Sequence, residues 1–158
     1  MIRRRRNLMS ADAENKAIIR QLYEEVWNKR RLELVDEILS PSHALHDPNA
    51  TGSAVGPEAY KRLVTRFITA FPDLRFIIED SFGENEKLAI AWTISGTHKG
   101  EFMGIPATNK KVSVDGITII HTVNAKVMDS YVSWDVWGLM HQLGVVPAFG
   151  EPKGVAAR

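Results

Sequence analysis

One carboxylate in this chain sits between two indoles. Asp135 lies in the run Val132-Ser133-Trp134-Asp135-Val136-Trp137, which has the pattern of a strand. The continuation, Gly138-Leu139-Met140-His141-Gln142-Leu143-Gly144, reads as a short apolar helical segment ended by glycine. Burying a charged carboxylate is costly, so an acid walled by Trp134 and Trp137 is paired, neutral or poised to exchange a proton. The alternative is an Asp at the solvent end of a strand, with its carboxylate in water. A carboxylate in an apolar pocket suits removal of a proton from carbon next to a carbonyl, because apolar walls raise its pKa toward the working pH.

The histidines supply candidate partners. His98 ends the alternating stretch Leu88–His98; if that stretch pairs with Lys111–Val123, His98 falls at the same end of the sheet as Asp135. It reads equally well as a loop-edge residue bonded to backbone. His43, His46 and Asp47 have spacing that would suit a metal on a helix, but Pro41 and Pro48 argue for extended chain, and no metal is expected. His46 is a candidate for the mouth of a cavity, and His141 a surface residue of the final turn. The chain has no cysteine, which excludes disulfides, thiol nucleophiles and thiolate metal sites.

The elements that must hold these residues follow from periodicity. Asp12-Ala13-Glu14-Asn15 starts a helix on which Ile19, Leu22, Tyr23, Val26 and Trp27 share a face. A second short helix is expected from Leu32 to Leu39, then an extended piece, then an exposed loop from Asn49 to Gly56. Pro57 opens a third helix whose broad apolar stripe, Tyr60, Leu63, Val64, Phe67, Ile68 and Phe71, is wide enough to lie on a sheet. From Asp73 the period changes to two, and strands are expected over Leu74–Phe82, Leu88–His98, Lys111–Val123 and Val127–Trp137. Helices followed by antiparallel strands indicate an α+β domain.

Composition bounds the rest. A 158-residue chain with 44% hydrophobic and 25% charged residues is ordinary for one folded domain, and no apolar run reaches membrane-spanning length. The formal charge is +1, yet Arg3-Arg4-Arg5-Arg6 holds four of the 20 basic residues; set against 19 acids, the remainder is acidic and offers no bulk reason to bind nucleic acid. The expected organisation is a basic leader over residues 1–10, with Met9 an alternative start, a domain over 11–147 and a loosely held tail over 148–158. A cytoplasmic location is expected.

Four separated motifs then resemble the SnoaL-like polyketide cyclase family: Val26-Trp27-Asn28, Ala70-Phe71-Pro72-Asp73-Leu74, the run from Gly96 through His98 to Pro106, and Trp134-Asp135 followed by Gln142-Leu143-Gly144. The resemblance implies a cone-shaped, curved mixed sheet wrapped around helices, an α+β barrel similar to nuclear transport factor 2 and ketosteroid isomerase. It implies homodimers or homotetramers packed through the outer sheet face, where Met128, Val132 or Val136 would point. It implies ring closure by intramolecular aldol condensation without metal or cofactor, with Asp135 as acid/base and a role for His121, fourteen residues earlier. In such a cone Tyr23, Trp27, Trp92, Phe102, Met103, Trp137 and Leu139 become apolar walls and substrate contacts.

Strand register tests the pairing of His121 with Asp135. If Asn124-Ala125-Lys126 is a three-residue loop, His121 faces Asp129, and Asp135 lies on the same face but roughly 20 Å away along a flat hairpin. A two-residue turn would put the two on opposite faces. A cross-strand surface pair of His121 with Asp129 is the simpler expectation. Three functions stay open: a cofactor-free cyclase or isomerase acting on a hydrophobic, polyketide-like carbonyl compound; a small-molecule binding protein without turnover, marked by an exposed or cation-paired Asp135; and an epoxide hydrolase or dehydratase, for which no paired-Asp arrangement around Arg62, Arg66 or Arg75 is visible.

Overall fold

The computed structural model describes residues 13–50, 52, 54–147 and 150. Helix α1 covers 13–28 and widens over Arg20–Asn28 to π geometry, in which backbone N–H groups reach back five residues, as from Lys29 to Glu24 at 3.0 Å. This wide turn buries Leu22, Tyr23, Val26 and Trp27 together. A 3-10 turn at Leu32–Leu34 leads into the short α2, Val35–Ile38. Then come β1 (Leu39–His46), β2 (Ala54–Val55), α3 (Gly56–Ala70), β3 (Arg75–Glu84), β4 (Lys87–Thr97), β5 (Lys111–Val123), β6 (Lys126–Trp134) and α4 (Val136–Leu143).

The strands form one curved, six-stranded sheet in the order β2-β1-β6-β5-β4-β3. All neighbours are antiparallel except β1 and β6, which run parallel, so the sheet is mixed as the resemblance implies. Periodicity alone places four strands here; the extended piece at Leu39–His46 becomes a fifth, and Ala54–Val55, inside the expected loop, a sixth. Bulges between Ile78 and Asp80 on β3 and at the start of β6 bend the ladder.

The hairpin between β5 and β6 joins two sequence alternatives. Val123 pairs with Lys126 across a two-residue turn, Asn124-Ala125, whose φ angles of 50° and 60° suit the right-handed strand twist. One extra residue, Met128, then bulges out and restores the longer-loop register, so His121 faces Asp129.

One core lies between the inner sheet face and the helices, with Leu22 and Val26 of α1, Val64 of α3, Ile90 of β4 and Ile120 of β5 buried within it. Polar motif residues hold the frame. Asn28 extends the edge of β3 as a strand would, donating to Phe76 O (2.9 Å) and accepting from Phe76 N (2.7 Å). Asp73 accepts from both the backbone N–H and the hydroxyl of Thr97, which hold its carboxyl below the usual range. Gln142 of α4 makes the same two-way contact with the backbone of Ser113, beyond the end of β6. The expected basic leader over residues 1–10, and most of the expected tail over 148–158, lie outside the described residues.

Candidate active site

An apolar cavity opens between α1, α3 and the inner face of the sheet. Leu22, Tyr23 and Trp27 of α1, Tyr60, Leu63 and Phe67 of α3, and Phe76, Trp92 and Ile94 of the sheet form its walls. Five oxygen-bearing side chains interrupt them: Tyr23, Tyr60, Thr118, Ser130 and Asp47. Asp47 is the cavity's carboxylate. It follows the last residue of β1, and strand alternation sends His43, Leu45 and Asp47 inward while Ala44 and His46 face out. Its Oδ2 accepts from Trp134 Nε1 at 3.1 Å, and its Oδ1 from the backbone and side-chain amides of Asn49 at 2.8 and 3.1 Å. These donors fix the direction in which the carboxylate faces.

The tyrosines are held as donors. Trp27 Nε1 donates to the Tyr60 hydroxyl oxygen at 2.9 Å, which leaves the phenolic hydrogen for another acceptor. Burial, and then the neighbouring Tyr23 phenol, push the Tyr60 pKa far up. Burial pushes Tyr23 up to about 12, offset in part by the Thr118 hydroxyl. Both phenols are protonated at neutral pH. Thr118 itself accepts from Trp92 Nε1 at 2.9 Å. The Trp92 ring has room because its partner on β5 is Gly116: a Cβ there would stand 2.3 Å from the indole. A carboxylate and two O–H donors lining one apolar cavity can accept a proton from an activated C–H while the donors stabilise the enolate oxygen.

Three of the expected ligand contacts, Tyr23, Trp27 and Trp92, are in this cavity. Asp135 is not. β6 ends at Trp134, and Asp135 caps α4 from the exposed side, its Oδ1 accepting from Gly138 N at 2.8 Å. A Cβ at residue 138 would collide with that carboxylate, so Asp135 and Gly138 form a fitted helix start. The indoles flank it in sequence only: Trp134 turns inward to Asp47, while Trp137 is 50% exposed on α4.

His98 is fully buried away from Asp135. Its Nδ1 accepts from Thr108 N at 3.2 Å, and its ring stacks on Phe71 with centroids 5.2 Å apart. It orders the loop between β4 and β5. His121 and His46 both face outward onto Asp129: His46 Nε2 lies 3.2 Å from Oδ1 and His121 Nδ1 3.9 Å from Oδ2, with His46 stacked on Tyr131. The surface-pair expectation for His121 therefore matches, and the cavity-mouth expectation for His46 does not. Phe102 packs behind the cavity on Phe67 and Phe71, Leu139 lines a smaller neighbouring hollow, and Met103 is exposed. Sequence reasoning weighs Asp47 only as a metal ligand and Tyr60 only as part of an apolar stripe, and does not single out Ser130. Alternation along Leu39–His46 was the available signal for Asp47, and Tyr60 stood in the stripe of α3.

This is an α+β cone with a helix-covered apolar cavity bearing one carboxylate and several hydroxyls. The chain belongs to the SnoaL-like polyketide cyclase family, which it matches over residues 17–143. It is 32% identical over 109 residues to the aklanonic acid methyl ester cyclase DnrD of Streptomyces peucetius, covering 68% of this chain and 72% of that protein. TsrD from Streptomyces laurentii superposes with a TM-score of 0.77 at 24% identity, covering 85% of this chain and 97% of that one. A Catenulispora acidiphila protein with a ketosteroid isomerase-like fold gives a TM-score of 0.69 at 14% identity, covering 85% and 97%. No helix among the described residues is long and apolar enough to cross a membrane.

Proposed function

We propose that this protein closes a ring on a hydrophobic, polyketide-like carbonyl compound by acid/base catalysis, with Asp47 as the base. The observation that carries the reading is that one oriented carboxylate and the O–H groups of Tyr23 and Tyr60 line the same apolar cavity. Asp47 removes a proton from carbon between activating carbonyls. Tyr23 and Tyr60 donate to the enolate oxygen. The enolate carbon bonds to a second carbonyl carbon of the same molecule, and the proton returns from Asp47 to the new alkoxide, so the product is an isomer of the substrate. The chain's own residues supply every proton transfer. Similarity to a methyl ester cyclase supports this substrate class.

The test is turnover of aklanonic acid methyl ester by the wild type and by Asp47→Asn, followed by chromatography. Ring-closed product from the wild type and its loss in the folded variant are expected; full turnover by Asp47→Asn would remove Asp47 from the reaction. The exposed, cap-bound Asp135 favours a second reading, ligand binding without turnover, and tight binding with no product from the wild type would establish it.

Self-association through the outer sheet face belongs to the same proposal. Phe82, Ala89, Ile119, Tyr131 and His46 form one row across five strands, and Phe82 is 74% exposed. This row replaces the expected Met128, Val132 and Val136: Met128 is the bulged residue, Val132 lines the cavity and Val136 lies on α4. Sedimentation of Ile119→Asp against wild type tests it, with dissociation to monomer expected.

A further inference from the structure

Ser130 and His43 form a second polar point in the cavity, on the sheet side rather than the helix side. Ser130 stands on β6 beside Leu45 of β1 and lines the cavity, although only 2% of its surface is exposed. Behind it, His43 places Nε2 at 3.0 Å from Ser130 Oγ. The other ring nitrogen, Nδ1, is buried with no hydrogen-bond partner among the described residues. Nothing in the chemistry attributed to Asp47, Tyr23 and Tyr60 uses this pair.

The hydrogen positions follow from counting donors. Burial, offset by Asp129 and reinforced by His46, brings the His43 pKa down to about 4, so the ring is neutral at pH 7 and carries one hydrogen. With that hydrogen on Nδ1, a buried N–H would have no acceptor, which folded proteins rarely tolerate. With it on Nε2, the ring donates to Ser130 Oγ, and only an acceptor lone pair is left over. The second tautomer costs less. Ser130 Oγ then accepts from His43, and its own hydrogen points away from the ring, toward the cavity. A hydroxyl that accepts one hydrogen bond becomes a stronger donor in the next.

We propose that the Ser130 hydroxyl, held and polarised by neutral His43, is the binding point for a second carbonyl oxygen of the ligand, ketone or ester. This rests on the reading of the ligand as a hydrophobic carbonyl compound. Ring closure by aldol addition needs two carbonyls handled differently, one as enolate and one as electrophile. The tyrosine hydroxyls and the Ser130 hydroxyl offer two donor points on opposite walls, helix and sheet. Asp47, one residue past the end of β1, lies two residues beyond Leu45, which pairs with Ser130, so base and donor are offset by roughly 7 Å along the strand direction. Ser130 touches the ligand; His43 acts through it and is a positioning residue.

Anthraquinone is a suitable probe, because it carries two carbonyls and no C–H acidic enough to react. Infrared difference spectra of the isotope-labelled compound bound to the wild type are expected to show carbonyl bands shifted to lower frequency. Ser130→Ala is expected to return one component toward its unbound frequency and to weaken binding about tenfold; Tyr60→Phe should alter the other. His43→Phe keeps a buried ring, removes the N–H, and should weaken the Ser130-dependent shift without abolishing it. If His43→Phe does not fold, Ser130→Ala decides alone. Unshifted bands in the wild type, failure of anthraquinone to bind, or a Ser130→Ala spectrum and affinity equal to wild type would each overturn the assignment. A Ser130-dependent shift with no turnover of the methyl ester would sink the cyclase reading and leave this binding point standing.

Discussion

Two histidine pairs join the same two strands, β1 and β6, from opposite sides. Inside the cone, His43 meets Ser130 at 3.0 Å, and 1% of His43 is exposed. Outside, three residues along β1, His46 meets Asp129 at 3.2 Å, with both side chains more than 30% exposed. The first pair has lost its water, so burial dominates and drives His43 neutral. The second stays wet, and a solvent-exposed pair of this kind contributes little to stability. One sheet thus carries side chains of the same type in two chemical settings, separated only by strand alternation. Asp47 and Asp135 repeat the contrast: one is aimed into the cavity by an indole, the other is spent on a helix start.

The comparison is broken most severely at the carboxylates. Asp47→Asn is expected to lower kcat by about a thousandfold, the range for a general base, while Asp135→Asn leaves kcat unchanged; equal losses in both would erase the distinction between inside and outside. The histidines come next. The folded-state pKa of His43 is depressed from 6.5 to about 4, so the unfolded chain binds the extra proton first. His43 therefore leaves stability intact above pH 6.5 and removes up to about 3 kcal/mol as the pH falls toward 4. Urea unfolding across that window should show a fall that His43→Phe reduces far more than a His46 variant does, because burial is the largest cause of the shift and His46 the smallest.

Smaller effects sharpen the same contrast. Gly116→Ala puts a methyl group into the space of the Trp92 ring and is expected to cost about 2 kcal/mol, seen as a lower urea midpoint together with a shift in tryptophan fluorescence. Asp135→Ala removes only the cap of α4, costing about 1 kcal/mol with kcat preserved. Asp129→Asn, on the wet outer face, should change the melting free energy by less than about 1 kcal/mol.

The motifs that made the sequence recognisable prove to be largely framework. Asn28 caps a sheet edge, Asp73 clamps Thr97, Gln142 fastens α4 to β5, and Gly144, at φ 84°, ends α4 in the left-handed region. Such residues need one identity and one partner, so they are legible as short words. The cavity is not written that way. Its polar groups come from α1, the residue after β1, α3, β5 and β6, and each has its neighbours in sequence pointing elsewhere.

Periodicity determined the helices 13–28 and Gly56–Ala70, the four long strands and the apolar stripes that face one another, because alternation and helical spacing are local. Composition determined that no thiol chemistry is available. Tertiary structure decided what local pattern could not encode. A parallel pairing of β1 with β6, made between segments more than 80 residues apart, turned His43 and Asp47 inward and His46 outward. The end of β6 at Trp134 sent one indole to Asp47 and left Asp135 on a helix cap. A single bulged residue, Met128, set the face on which His121 meets Asp129. Direction, register and strand ending are collective properties of the sheet, because each residue's side is fixed by the hydrogen bonds of its neighbours across the ladder.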